Sequence, residues 1–316
     1  MRLLSASLAL CALGASTTVE LVAHAQDRWT QVSAGVRVLH RRTRHHDGSP
    51  LVLHIAHIDL CEARGRFRAT APDETPSTTS RWASRVGALF AVNGDFFDRP
   101  GVPLGRARGA GREFAARNTY YFGALVAARA GDVPRVLERY EAPAAFSEVV
   151  SAQERIVVRG VERVDPHVDH SRQRHPRTAV GWSRDGLEMI FVVADGRSRA
   201  SVGATTPELA LILRDLGAWE AVRLDGGGSS TLAVRGRVIN TPSDRAERAV
   251  ANHLGFIEDS SAAAPSQCPA RTPVDFAPDA PRDAMTFPRE ARPARVRAVL
   301  GTVRSSPGNV RVVSKQ

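Results

Sequence analysis

One short block, Leu224-Asp225-Gly226-Gly227-Gly228-Ser229-Ser230-Thr231, constrains this chain more than any other part of it. The preceding Ala221-Val222-Arg223-Leu224 predicts a short strand that ends at Asp225. Three glycines after a strand allow φ > 0 and let a ligand approach bare N–H groups. Successive N–H groups in such a turn form a concave anion nest, and Ser229, Ser230 and Thr231 add hydroxyl donors beside it. The block therefore predicts a pocket for an anion or a polar sugar with one carboxylate at its edge. A tight turn without a ligand is the alternative, since turns are the commonest use of glycine. Three other motifs are excluded. A nucleotide P-loop needs Gly-Lys-Ser/Thr, and no lysine follows these glycines. A nucleophile elbow needs Gly-x-Ser-x-Gly, and the final glycine is absent. A dinucleotide fingerprint needs spaced glycines that open a helix, whereas a β-rich stretch follows here.

The rest of the pattern is many strands and few helices. Leu51–Cys61 and Ala88–Val92 are apolar runs that read as buried strands. Tyr121–Ala127, Glu154–Val158, Arg177–Trp182 and Met189–Val193 read as further strands, the last two joined by the turn Arg184-Asp185-Gly186. Thr78–Ser80 caps a short helix reaching Arg85. The clearest helix has Thr206 as N-cap, Pro207 in its first turn and Glu208 favouring its dipole. Leu209, Ile212, Leu213 and Leu216 form its apolar stripe, and Gly217 ends it. Lying between two strands, it reads as a crossover connection. Thr231–Val234 and Val238–Ile239 pair around Arg235-Gly236-Arg237. The expected fold is α+β, a single main domain built on a mixed β-sheet. Asp165–His175 and His45-His46 read as solvated loop.

At the N-terminus Arg2, a short apolar run and Ala23-His24-Ala25 form a secretory signal pattern, so residues 1–25 are expected to be cleaved and the protein exported. The run is too short to span a membrane, which takes roughly 20 apolar residues. Residues 26–259 form the expected domain. Residues 260–316 turn rich in Pro, Arg and Ala and read as linker or tail, with one further strand conceivable over 296–313. Export permits a disulfide between Cys61 and Cys268; one buried and one exposed thiol fit the sequence equally. The net charge of +10 comes almost wholly from arginine, Lys315 being the only lysine. The arginines are scattered and not interleaved with aromatics, so specific nucleic-acid binding is not indicated.

Taken together and in order, several stretches resemble the phosphodiester glycosidase family. They are Asn93-Gly94-Asp95-Phe96-Phe97, Arg177-Thr178-Ala179-Val180-Gly181, Asp195-Gly196-Arg197, the helix with Glu208-Leu209-Ala210, the Leu224–Thr231 block, and Glu247-Arg248-Ala249-Val250-Ala251-Asn252. The resemblance spans roughly residues 50–257. The glycine-serine block is its specific part. The resemblance implies hydrolysis of a sugar-1-phosphodiester, of the N-acetylglucosamine-1-phosphodiester kind, on the glycosidic side, with a small diester or a phosphate-linked glycan as partner.

That chemistry needs a carboxylate to attack the sugar or activate water, and fixed donors for the phosphate charge. Asp225 and Glu208 are the leading acid, base or nucleophile candidates, followed by Asp95 and Asp195. Arg177 and Arg248 are expected to hold phosphate. The amides of Gly226, Gly227 and Gly228, with Ser229, Ser230 and Thr231, would orient sugar or phosphate, and Asn93, beside Gly94, would bind sugar hydroxyls. Each has a bland alternative: Glu208 serving its helix, Asp95 capping its turn, Arg248 pairing with Asp244 or Glu247, and Phe96 and Phe97 as core. His167, Asp169, His170 and His175 match no metal-site spacing and read as loop. Calcium is the one cofactor that the Asp and Asn side chains at strand ends would suit. A non-catalytic carbohydrate- or anionic-polymer-binding protein of the same fold is the competing function. Neither the sugar, the anomeric outcome nor the oligomeric state is written in the sequence.

Overall fold

Strands Arg177–Trp182 and Glu188–Ala194, whose sequences are nearly all apolar, are buried on both faces along almost their whole length. The computed structural model describes residues 28–99, 101–115, 124–129, 132–138, 145–164, 169–265 and 268. In chain order the first strands are β1 (Trp29–Ser33), β2 (Val36–Arg44), β3 (Pro50–Asp59), β4 (Gly65–Ala69), β5 (Ala88–Asn93), β6 (Phe97–Arg99), β7 (Val102–Pro103), β8 (Arg108–Gly109), β9 (Arg112–Glu113) and β10 (Ala124–Ala128). They are followed by β11 (Arg135–Glu138), β12 (Glu148–Ala152), β13 (Glu154–Val158), β14 (Val161–Glu162), β15 (Arg177–Trp182), β16 (Glu188–Ala194), β17 (Glu220–Arg223), β18 (Leu232–Val234), β19 (Arg237–Val238) and β20 (His253–Glu258). The helices are α1 (Thr79–Val86), α2 (Asp169–Arg172) and α3 (Thr206–Asp215).

An eight-stranded sheet runs β1-β2-β3-β16-β15-β17-β13-β14, and a five-stranded sheet runs β19-β18-β5-β20-β4. A second five-stranded sheet, β11-β10-β12-β8-β9, and the pair β6-β7 complete the β structure. One apolar core lies between the two larger sheets, with Phe67, Phe90, Phe191 and Phe256 in mutual ring contact. The other face of the eight-stranded sheet packs under α3 through Leu53, Ile55, Val192, Leu209 and Leu213. The outer face of the β5 sheet packs under α1 through Trp82, Ala83 and Ala91. The order of layers is helix, sheet, sheet, helix. Each fully buried Leu, Ile or Phe contributes about 1.5–3 kcal/mol.

The sheet is not mixed. Every pairing among the described residues is antiparallel. The helix between β16 and β17 is a crossover as expected, yet the two strands it joins do not touch, because β15 lies between them and pairs with both. The crossover thus serves an antiparallel sheet. The helix also begins one residue earlier than read: Thr205 is the N-cap, and a capping box closes with Glu208. In the β18–β19 hairpin Arg235 and Gly236 both take positive φ, 48° and 71°, the backbone that matches strand twist in a two-residue turn.

Cys61 and Cys268 form a disulfide with Cα atoms 5.5 Å apart, so the thiol alternative is set aside. His45 is not solvated loop. It is buried, bonds the Gly203 carbonyl at 2.9 Å and pairs with Glu208 at 3.0 Å. Part of the expected 165–175 loop is α2. Residues 1–27 with the signal pattern, 121–123, His167, and the tail beyond 265 except Cys268 lie outside the described residues.

Candidate active site

Topology gathers the candidate residues at one end of the two sheets. β15 is antiparallel to both β16 and β17, so its first residue, Arg177, lies beside Ala194 at the exit of β16, and Ala179 lies beside Arg223 at the exit of β17. In the facing sheet Asn93 at the exit of β5 pairs with His253 at the entry of β20. Residues 93–95, 177, 195–197, 223–231 and 252 therefore meet at one end.

Asn93 stitches the two sheets. Its Nδ2 donates to the Asp225 carbonyl at 2.8 Å. Its Oδ1 accepts from the Thr178 hydroxyl at 2.8 Å and from the Thr231 N–H at 3.1 Å. With 0% of its surface exposed and both amide atoms engaged, Asn93 is a clip and not the sugar ligand expected. The Asp225 N–H adds a bond to the Gly94 carbonyl at 3.0 Å. Gly94 is required because Asn252 packs on it: a Cβ there would lie 2.3 Å from Asn252 Oδ1.

Two carboxyl groups stand side by side at this junction. Asp225 is partly open to solvent; its Oδ1 accepts the Gly226 N–H at 2.8 Å. Burial pushes its pKa up to about 6, against the pull of Ser229, the Gly226 N–H, Arg248 and Arg223. Asp95 is 1% exposed. Its N–H donates to Asn252 Oδ1 at 2.7 Å, and its Oδ2 accepts from Asn252 Nδ2 at 3.3 Å, while its Oδ1 has no partner. Burial, reinforced by the Asp225 charge, raises Asp95 well above the usual carboxylate range despite bonds from Asn252 and the Ser151 backbone. The pair is thus split, Asp225 lifted to about 6 and Asp95 pushed by burial well above the usual carboxylate range, which favours its protonated form.

Guanidinium groups surround the pair. Arg177 and Arg223 are each 0% exposed, and each has one nitrogen, Nη1, without a partner. Arg177 is held by carbonyls alone: Ala204 at 3.1 Å, His170 at 2.7 Å and Gln173 at 2.9 Å. Burial and the neighbouring Arg223 lower its pKa to about 10. Arg223 bonds Glu154 at 3.1 Å and also Gln153, and its guanidinium lies 5.6 Å from the centre of the Phe96 ring. Phe96 is partly exposed and belongs to none of the apolar cores, so it departs from the core reading. Arg248 pairs with Asp244 and also reaches the Ser229 hydroxyl at 3.4 Å. His170 and His175 stack at 4.9 Å. Burial and nearby arginines lower both, His170 to about 4, so both rings are neutral at pH 7.

Two of the three glycine N–H groups of the turn are bonded to protein. The Gly226 N–H is spent on Asp225 and the Gly227 N–H on the Pro176 carbonyl at 2.8 Å. The missing side chains serve another purpose: a Cβ on Gly227 would lie 3.0 Å from Arg197 Nη2, and one on Gly228 would lie 2.2 Å from Arg248 Nη2. Bare backbone makes room for guanidinium groups. Ser229, Ser230 and Thr231 are buried, and the hydroxyls of Ser230 and Thr231 have no protein partner.

Glu208 and Asp195 are held by other partners than the Asp95–Asp225 pair. Glu208 accepts the Thr205 N–H at 2.8 Å, Arg174 at 2.7 Å and His45 at 3.0 Å. Burial opposes ionisation, but these bonds outweigh it and hold Glu208 at about 2. Asp195 is opposed by burial too, yet bonds from His54 at 3.0 Å, the Thr241 N–H at 2.9 Å and Asn240 at 3.3 Å keep its pKa low. Asn240 also donates to the Ser230 carbonyl at 3.0 Å, so Asp195 braces the far side of the glycine turn. The oxygens of both carboxylates are thus bonded to protein groups. Among the described residues no group of three or more His, Cys, Asp or Glu side chains is set to hold a metal. The oxygens of Asn93 and Asn252, considered for calcium, are bonded to protein.

The sequence reading missed Arg197, Arg223, Asn252 and the His170–His175 stack as site residues. Arg223 carried a signal: it is the one charged residue between the apolar Ala221-Val222 and Leu224. Arg197 and Asn252 lay within quoted motifs but received no role.

Known proteins match this chain as follows. A family model described as phosphodiester glycosidase matches residues 86–257. The SPbeta prophage-derived protein YomE of Bacillus subtilis is 43% identical over 81 residues, 26% of this chain and 12% of that protein. The mouse N-acetylglucosamine-1-phosphodiester alpha-N-acetylglucosaminidase is 39% identical over 71 residues, 22% of this chain and 13% of that protein. The matches thus span only about an eighth of these curated relatives. The zebrafish counterpart's catalytic domain, solved auto-inhibited by its pro-peptide, superposes with TM-score 0.58 at 20% identity, covering 73% of this chain and 85% of that one. A hypothetical protein from Synechocystis gives TM-score 0.55 at 17% identity over 73% of this chain and 64% of that one. These two likenesses are of fold.

Proposed function

Because this chain belongs to the phosphodiester glycosidase family, whose model covers more than half of its 316 residues, we propose that it hydrolyses a sugar-1-phosphodiester between the sugar C1 and the phosphate oxygen. An N-acetylglucosamine-1-phosphodiester is the substrate class that the mouse relative's name suggests. The observation that carries the reading is the split carboxyl pair, Asp225 and Asp95, beneath buried guanidinium groups with unpartnered nitrogens.

The chemistry follows from that arrangement. A phosphoryl leaving group has a second pKa near 6, so it departs without a strong acid when its charge is met by arginine. The harder task is supplying a nucleophile to an oxocarbenium-like C1. Ionised Asp225 takes a proton from water or attacks C1 directly. The C1–O bond breaks, the water oxygen ends on C1, and the phosphomonoester leaves. Protonated Asp95, with its free Oδ1, donates hydrogen bonds to the developing charge. The unpartnered Nη1 atoms of Arg177 and Arg223 and the hydroxyls of Ser230 and Thr231 are the donors left for phosphate or sugar oxygens, and Phe96 offers a ring face. Export is part of the same reading: the disulfide suits an oxidising compartment, and no helix of the described residues is long and apolar enough to cross a membrane.

The test is sugar release from methyl N-acetylglucosamine-1-phosphodiester across pH, with a chelator arm. The rate is expected to rise as pH passes about 6, where Asp225 loses its proton. Asp225→Asn is expected to lose on the order of 10²–10⁴-fold. A folded wild-type chain that releases no sugar from any sugar-1-phosphodiester overturns the reading and leaves a binding protein of the same fold.

A further inference from the structure

Arg197 is exposed and makes no ion pair among the described residues. Its backbone takes φ 58°, a region uncommon for residues other than glycine, asparagine and aspartate and one that clusters at ligand sites. The strained backbone delivers the guanidinium onto the glycine turn, where a Cβ on Gly227 would lie 3.0 Å from Nη2 and 3.4 Å from Cζ and Nη1. Its field reaches Arg177, His170 and His175. A guanidinium with no acid partner among the described residues is thus held against Gly227, two positions beyond Asp225 in the chain.

The charges around the turn then fall into pairs. Glu154 offsets Arg223, and Asp244 offsets Arg248. Burial without a partner for Oδ1 favours the neutral form of Asp95, and burial with nearby arginines favours the neutral form of both histidines. Arg177, bonded to carbonyls and reached also by the Glu154 charge, and Arg197 remain, while the Asp225 carboxyl is drawn by Arg248 and Arg223. Among the described residues the four arginines 177, 197, 223 and 248 thus outnumber the carboxylates of Glu154, Asp244 and Asp225 by one. A phosphodiester brings one negative charge; a phosphomonoester above its second pKa, near 6, brings close to two.

We propose that Arg197 is a specificity-determining residue which, with the unpartnered nitrogen of Arg177, sets this site to accept a phosphoryl group of one negative charge, a diester, over one of two. The inference rests on the sugar-1-phosphodiester reading above. Substrate completes the neutralisation of the site, whereas the phosphomonoester released by C1–O cleavage overfills it with charge and is expelled. Beside a protein surface a surplus charge near a carboxylate is repelled more strongly than in bulk water.

The experiment uses the mature chain at pH 7.5. Calorimetric titration with N-acetylglucosamine-1-phosphate, a monoester, is run on wild type, Arg197→Gln, Arg197→Gly and Asp225→Asn. Turnover of the methyl diester is run on wild type and both Arg197 variants. Asp225→Asn is expected to bind the monoester about tenfold more tightly than wild type, since about 1.4 kcal/mol of relieved repulsion is a factor of ten. Both Arg197 variants are expected to bind the monoester about tenfold more weakly and to raise KM for the diester by a similar factor. Arg197→Gly, whose backbone is relaxed at positive φ, separates the role from folding: its unfolding midpoint is expected to be unchanged or higher while binding falls. Monoester affinity unchanged in Asp225→Asn, or unchanged in both Arg197 variants, overturns the proposal. A wild type that cleaves no diester defeats the functional reading alone, because the titrations still decide whether Arg197 reads phosphoryl charge.

Discussion

Replacing Asp225 with asparagine is expected to make the protein more stable at neutral pH while it abolishes turnover. Burial lifts the Asp225 carboxyl from its ordinary 3.8 to about 6. A tenfold change in proton affinity is about 1.4 kcal/mol, so above both values the ionised group costs the folded chain about 2–3 kcal/mol relative to the unfolded one. The sign follows from the direction of the shift. The native state binds the Asp225 proton more tightly than the unfolded state does. Stability from this group is therefore complete below about pH 4 and is lost as pH rises to about 6. Asparagine keeps an oxygen to accept the Gly226 N–H at the 2.8 Å position and never carries the charge. Guanidinium unfolding of wild type and variant at pH 4 and pH 7.5 measures the difference. The variant is expected to gain about 2–3 kcal/mol at pH 7.5 and close to nothing at pH 4. An equal gain at both values, or a loss at pH 7.5, would falsify the argument that a buried charge is held at this position for function.

Two other substitutions separate structural from chemical residues. Glu208→Ala removes a capping box and the partners of Arg174 and His45. It is expected to cost about 1–3 kcal/mol in thermal or denaturant unfolding with kcat/KM within a few-fold of wild type, and a thousandfold loss in a folded variant returns Glu208 to the catalytic set. Asn93→Ala orphans the Asp225 carbonyl, the Thr178 hydroxyl and the Thr231 N–H. At about 1 kcal/mol or more for each buried group, unfolding stability is expected to fall by at least about 3 kcal/mol; a fall below about 1 kcal/mol contradicts its role as a clip between sheets.

The sequence showed most clearly what depends on local pattern. β3, β5, β13, β15 and β16 are apolar runs, and α1 and α3 carry their own capping residues, so each was legible nearly to its ends. The β1–β2 pair was not, because the outer half of β2, His40-Arg41-Arg42-Thr43-Arg44, is polar and mostly exposed and shows no apolar period. β20 was hidden by starting with a histidine, which is buried through its bonds to Thr70 and its stacking on Trp82 at 5.0 Å. Strand partners lie far apart in the chain, so no local pattern could tell an antiparallel sheet from a mixed one. The same limit divides the site. The glycine block announced a close approach of something to the backbone, Asp225 was read from its strand end, and Arg177 was read from the family-like Arg177–Gly181 stretch. That the visitors to the glycines are Arg197 and Arg248, and that Asp195, Glu208 and Asn93 are consumed by protein partners, are facts of distance between remote residues.

β20 lies between β5 and β4, near the middle of its sheet, although it is the final strand of the described chain. Asn252, which fixes Asp95, directly precedes it, and Arg248 is four residues earlier. A chain arrested before residue 253 would hold Asp225, Arg177 and the glycine turn, yet β4 and β5 would face each other across a missing strand, with open edges that invite aggregation. Competence at this site therefore arrives late and all at once. On the sugar-1-phosphodiester reading, a chain whose residues 253–258 have yet to emerge would release no sugar, and activity would report that the whole domain has been delivered.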